Sequence, residues 1–175
     1  MSLETERLTL LPSSPEQLVA LIDQPERFET LVGMPAADGL RGFFASTDVS
    51  PDWLAALRKA RGPDPWRHGF FVVDRENSRV IGSAGFKGPP DDSGMVEIAY
   101  GIVPSHEGRG YATEAAAALV RFAFASGRVR LVRAHTLPES NPSTRVLRKC
   151  CFRYAGAVVD PEDGPVWRWE RGPDA

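Results

Sequence analysis

The 175-residue chain is poor in the residues that announce several kinds of protein. It has two cysteines, Cys150 and Cys151, and they are adjacent. They form no Cys-x-x-Cys pair and no disulfide framework, so a reducing, cytoplasmic setting is expected. Of the three histidines, His68, His106 and His135, His68 and His106 share no spacing that suggests metal ligation, and no metal is expected. Basic residues form no block, and the net charge of −2 gives no general reason to bind nucleic acid. No apolar run approaches the ~20 residues of a membrane span, and the most hydrophobic stretch, Ala115–Val120, stops at Arg121. The start, MSLETERLTLL, lacks the basic-then-apolar order of a secretory signal, so no membrane partner is expected. Repeats and low-complexity tracts are also missing.

What is present is an ordinary globular composition, with 42% hydrophobic and 25% charged residues. A chain of this length suggests one domain over 1–175, burying roughly 70% of the surface its unfolded form exposes. Leu8–Leu11 reads as a first strand. Ser13-Ser14-Pro15 starts a helix with a stripe of Leu18, Val19, Leu21 and Ile22. From Asp23 to Ser50 the pattern is broken by Pro25, Gly33, Pro35, Gly39 and Gly42. Ser50-Pro51 predicts a helix to about Arg61, ended by Gly62–Pro65. Gly69–Val73 and Arg79–Phe86 read as a hairpin. Met95–Val103 is the clearest strand, with Val96, Ile98, Tyr100 and Ile102 on one face and Met95, Glu97, Ala99, Gly101 and Val103 on the other. A helix from about Thr113 to Ser126 is apolar nearly all round, which predicts burial against a sheet. Leu131–Thr136 is strand-like, Ser143–Cys151 helical, and Tyr154–Val159 with Val166–Arg171 a closing hairpin. The order is mixed α/β, a central twisted, mostly antiparallel sheet of about 6–7 strands with helices on both faces.

The informative segment runs Ile102-Val-Pro-Ser-His-Glu-Gly-Arg-Gly-Tyr-Ala-Thr-Glu-Ala115. A strand leads into Gly108-Arg109-Gly110 and a helix begins within three residues. Glycines let backbone approach a ligand, and a helix start offers unpaired N–H groups, a combination suited to a pyrophosphate. A plain strand-to-helix turn needing two glycines is the competing reading. The G-x-G-x-x-G fingerprint fails at Thr113, and no G-K-[ST] follows.

With RVIGSAGFKG at 79–88, VEIAYGIVPSHEGRGYATEA at 96–115 and HTLPESNPSTRVLRKCCF at 135–152, the sequence resembles the GNAT superfamily of acetyl-CoA-dependent N-acetyltransferases. It looks most like the group around the ribosomal-protein N-terminal acetyltransferases, from LETERLTL to VWRWER, most weakly across Asp23–Pro65. The resemblance implies a splayed strand pair. It also implies that the motif at Glu107–Ala112 cradles the pyrophosphate of coenzyme A through backbone amides of Gly108, Arg109, Gly110, Tyr111, Ala112 and Thr113. Backbone of Ile102 and Val103 would contact the pantetheine arm, and Asn141 or Ser143 would face pantetheine or the sulfur. Three departures stand out. Glu107 holds the usual Gln/Arg position, and a carboxylate there must point to solvent to spare the phosphates. Cys151 replaces a Gly that takes the left-handed conformation at the helix end, which implies strain or a different termination. Arg148 stands where many relatives carry the Tyr that protonates the departing thiolate.

The chemistry needs a proton taken from the amine and the thiolate stabilised or protonated as it leaves. At pH 7, deprotonation costs roughly 1.4 kcal/mol for an α-amine and about 4.6 for a lysine. Glu97 is the first candidate base: partial burial favours a proton on a carboxylate, and the resemblance places a Glu on this strand. The competing reading is a solvent-facing carboxylate. His135, at a strand end, could act through water or be a satisfied structural histidine. Asn141-Pro142 is also an ordinary helix start. With Arg148 in the Tyr position, Ser143 is the candidate acid, and water is the alternative. Glu114 suits a first helical turn and is left out of the site. Trp167 and Trp169 read as core, and Arg128–Arg133 as a solvated face. The expected function is transfer of an acetyl group to a protein N-terminus or a small amine. The alternative is a domain that senses acyl-CoA without turnover. A homodimer through an edge strand near Val166–Arg171 is a further expectation.

Overall fold

The computed structural model describes residues 1–45 and 50–174, so the last part of the poorly patterned Asp23–Ser50 segment lies outside the described residues. Eight strands among these residues make one open sheet, in the order β1-β2-β3-β4-β5-β6-β8-β7. They are β1 Leu3–Glu4, β2 Leu8–Pro12, β3 Phe70–Asp74, β4 Arg79–Phe86, β5 Met95–Ile102, β6 Leu131–Thr136, β7 Arg153–Asp160 and β8 Gly164–Arg171. Every neighbouring pair is antiparallel except β5 and β6. The expected 6–7 strands become eight because Leu3–Glu4 pairs with Thr9–Leu10, a two-residue strand too short for any alternation to reveal.

Seven α-helices among the described residues accompany the sheet: α1 Pro15–Asp23, α2 Pro25–Val32, α3 Gly42–Ala45, α4 Pro51–Lys59, α5 Pro65–His68, α6 Tyr111–Ala125 and α7 Pro142–Lys149. The first, α1, starts as the sequence predicts. Ser14 accepts from the Gln17 amide, and the Gln17 side chain accepts from the Ser14 amide. Two breaker-rich stretches are helical, contrary to expectation. Pro25 sits at the first position of α2 and Gly33 ends it at φ 85°. Asp64 caps α5, with Pro65 at its start. In both, Pro and Gly mark helix boundaries rather than loops. The helix expected to reach Arg61 stops at Lys59, α6 begins at Tyr111 rather than Thr113, and α7 ends at Lys149 rather than Cys151.

The sheet is covered on both faces. On one, Phe28 of α2 and Phe44 of α3 lie edge-on to Phe71. On the other, α6 buries Ala115, Ala116, Leu119, Val120 and Ala123 over Val96, Ile98 and Ile102, and its Phe122 meets Phe70 and Phe86. The third departure from expectation is at the sheet edge. Val166–Arg171 lies inside β8, which is flanked by β6 and β7, so it is no edge strand; β7 is the edge on that side. Trp169 is core, 1% exposed, and its indole N–H donates to Thr136 Oγ1.

Candidate active site

β5 and β6 pair only at Met95–Glu97 with Leu131–Arg133, and beyond Glu97 they part. Past that point β5 pairs with β4 alone, from Ile98 to Ile102, and β6 with β8 alone. Backbone groups of successive strand residues point to opposite sides. The Val103 amide donates to Ile81 and the Glu97 carbonyl accepts from Lys87, both toward β4. Ile98, Tyr100 and Ile102 therefore aim their N–H and C=O groups into the gap. Val103 does not, and its carbonyl accepts from the His106 amide in the 3-10 turn Pro104–His106.

At the far end of the gap stands the glycine loop. Gly108 and Gly110 have φ 75° and 84°, values that favour glycine, and Gly110 is the N-cap of α6. No side chain caps this helix, and its first internal bond is Glu114 N–H to Gly110 C=O. The amides of Tyr111, Ala112 and Thr113 thus lack intrahelical acceptors, the donor set an anion needs. Glu107, Gly108, Arg109 and Gly110 are exposed, so the loop is open and the Glu107 carboxylate is in solvent. The Tyr111 ring is buried beneath the Arg7 guanidinium, 4.3 Å from its centroid. Arg7 also donates to the Arg109 carbonyl at 2.9 Å.

The start of α7 faces the gap from the helical side. Asn141 accepts from the Thr144 amide, and Thr144 Oγ1 accepts from the Asn141 amide, so the Asn141 carbonyl oxygen is used in capping. Ser143 is half-buried and lies beside the Tyr100 phenol, whose ionised form its hydroxyl favours. Burial pushes that phenol up to about 12, above the smaller opposing effect of Ser143, so it stays protonated through neutral pH. Arg148 is exposed and lies over the Trp169 ring at 5.3 Å.

The other face at the vertex is polar. The side chains of Glu97 and His135 are 15% and 6% exposed, with Glu97 Oε2 3.3 Å from His135 Nδ1. The structure thus brings together two residues that lie 38 positions apart (135 − 97). Asp160 Oδ2 is 3.7 Å from the same nitrogen. Amides of Asp163 and Glu162 hold the Asp160 carboxyl below its ordinary range. Lys87 Nζ lies 3.1 Å from Glu97 and 3.4 Å from Asp163. Burial opposes the Lys87 charge, but the two carboxylates outweigh it and raise the ammonium above its ordinary value. Sequence reasoning missed Lys87, Tyr100, Asp160 and Arg168, whose partners are set by strand register and by the closing hairpin.

On the same face as Glu97, a groove of about 350 Å³ runs over Ala99 and Gly101. Its walls include Phe43, Trp53, Arg67 and His68. Burial lowers the His68 imidazole. A Cβ at Gly101 would come 3.1 Å from the Phe43 ring, so a larger residue there would press on that wall of the groove. Glu97 lies two residues beyond Ala99, roughly 7 Å along the strand.

Residues 7–153 match the family model for the acetyltransferase (GNAT) domain. The chain is 30% identical over 156 residues to the N-acetyltransferase YjdG of Bacillus subtilis strain 168, covering 86% of this chain and 88% of that protein. Among solved structures, RimL, a ribosomal L7/L12 α-N-protein acetyltransferase in complex with coenzyme A, superposes with a TM-score of 0.67 at 16% identity, covering 100% of this chain and 99% of RimL. The ribosomal-protein-S5-alanine acetyltransferase of Vibrio fischeri superposes with a TM-score of 0.66 at 16% identity, covering 99% and 97% of the two chains. At these identities the two structures establish a shared fold.

Proposed function

The chain belongs to the GNAT acetyltransferase family, and from that premise we propose that it acetylates a primary amine by direct attack within a ternary complex. The observation that carries the reading is the gap between β5 and β6. It has unpaired strand groups along it, uncapped helix amides at one end and a half-buried carboxylate at its vertex. Acetyl-CoA supplies an activated acyl group and a thiolate that can leave.

The residues fit that ligand. The amides of Gly108–Thr113 suit a pyrophosphate, and the gap-facing groups of Tyr100 and Ile102 suit the amides of a pantetheine arm. Asn141 keeps its side-chain N–H₂ for the same arm. Glu97 receives the proton of the attacking amine, which approaches along the aromatic groove on the opposite face from α6 and α7. Ser143, beside the Tyr100 phenol, hydrogen-bonds the departing thiolate, which takes its proton from water. One N–C bond forms, one C–S bond breaks, and the proton lost by nitrogen rests on Glu97. A protein N-terminal α-amine or a small amine is the acceptor. RimL, named as an α-N-protein acetyltransferase, supports the first. Placement in the cytoplasm and a homodimer through the β7 edge complete the proposal. The two free thiols suit a reducing compartment.

The test is Glu97→Gln. With the true acceptor identified by mass spectrometry of acetylated extract, kcat/KM falls ~10²–10⁴-fold at pH 7. The loss shrinks as pH nears the amine's own pKa, and affinity for coenzyme A is kept. Near-native turnover overturns the base assignment. Coenzyme A binding with no turnover on any amine turns the chain into a sensor.

A further inference from the structure

Arg168 sits directly opposite His135 in the β6–β8 register. Its Nε donates to His135 Nε2 at 3.1 Å. A guanidinium has donors only, so Nε2 must be the acceptor, and a neutral ring then carries its proton on Nδ1. That Nδ1 is buried and lacks a well-formed hydrogen bond. Glu97 Oε2 lies 3.3 Å from it and Asp160 Oδ2 3.7 Å.

Glu97, His135 and Asp160 place three potential ligand atoms within 4.8 Å of one another. The tautomer decides against a metal among them. Ligation through Nδ1 would move the proton to Nε2 and set it against the Arg168 N–H, donor to donor. The same reasoning removes His135 as a base, since its one lone pair is already taken by Arg168.

We propose that Arg168 and His135 are positioning residues for the proton acceptor. Arg168 fixes the Nδ1–H tautomer, and that N–H orients the Glu97 carboxylate at the strand vertex. Asp160, at 3.7 Å, adds a second negative charge beside that N–H. The inference rests on Glu97 being the base. The charged groups around the ring are Glu97 on β5, Asp160 at the end of β7 and Arg168 on β8, with Lys87 reaching Glu97 from the end of β4.

Two measurements test it. Long-range ¹⁵N–¹H spectra of the wild-type protein report the tautomer without any activity assay: Nδ1–H is expected, and Nε2–H overturns the proposal. In kinetics, His135→Ala lowers kcat about tenfold to hundredfold, the cost of a misplaced group, with little change in the KM for acetyl-CoA. His135→Asn, whose amide N–H can replace Nδ1–H but cannot accept a proton, recovers most of that loss and keeps the acidic limb of the pH profile. If Asn is as damaged as Ala and that limb disappears, His135 is the base and the proposal falls. If Glu97→Gln is fully active while the Nδ1–H tautomer is found, the base reading fails instead.

Discussion

Arg7 and Glu114 meet at two points: the Arg7 backbone N–H donates to Oε1 at 2.7 Å, and its Nε donates to Oε2 at 2.9 Å. Thr5 donates to the same carboxylate. Because Glu114 lies in the first turn of α6 and Arg7 also binds the Arg109 carbonyl, this contact clamps the chain's start onto the glycine loop. The helix-start role expected of Glu114 is therefore only part of its work.

Burial of Glu114 works against its charge, but the bonds from Thr5 and Arg7 outweigh it and hold the carboxyl below its ordinary value. A depressed folded value means stability that is present above the ordinary carboxyl range and lost as pH falls through the folded value. Glu114→Gln is expected to cost about 1.5–3 kcal/mol at pH 7, the range for hydrogen bonds to a charged group. Urea midpoints of the two proteins should converge as the pH drops below about 4. A gap that stays constant with pH would show that the charge contributes nothing.

At the loop itself, Gly110→Asp adds a carboxylate where helix amides are free, beside an Arg7 Nη2 only 3.2 Å from the new Cβ. The flexible Arg7 tip can move and the left-handed φ of 84° costs Asp roughly 1–2 kcal/mol, so the fold should survive with reduced stability, while affinity for coenzyme A should fall at least tenfold, or about 1.4 kcal/mol. Glu107→Gln is the companion experiment. Its carboxylate is exposed, so affinity should change less than about threefold, under ~1 kcal/mol. Calorimetry on the two folded variants checks both. Unchanged affinity in Gly110→Asp would remove the pyrophosphate from this loop.

Cys151 has φ 66°, a left-handed conformation that costs a non-glycine residue roughly 1–2 kcal/mol. It is held there by paired bonds, Phe152 N–H to Leu147 C=O and Cys151 N–H to Arg148 C=O, which close α7. The strain anticipated from a Cys in a glycine's place is thus real, and the termination is the usual one. Cys151→Gly should raise stability by about 0.5–1 kcal/mol, since relief of strain exceeds the greater freedom of an unfolded glycine. Denaturant unfolding that shows no gain would mean the strain is already relaxed.

The sequence alone determined whatever is local. Ser14 with Pro15, and Asn141 with Pro142, start helices because a side-chain oxygen and a fixed φ act within three residues. Alternation along Met95–Ile102 sorted buried Val96 and Ile98 from Glu97, and the two glycines of the loop announced a left-handed strand-to-helix turn. Even Cys151 was readable, because helix termination needs only its own few residues. Tertiary structure decided what joins distant strands. Nothing in the order of residues places Arg168 across from His135, since that depends on β8 entering between β6 and β7. The resemblance implied a splayed strand pair, but not that β5 and β6 part after Glu97, or that Val103 spends its amide on Ile81 while Ile102 and Tyr100 face the gap. These are matters of register, and a register is set by the packing of whole faces against one another rather than by any short segment.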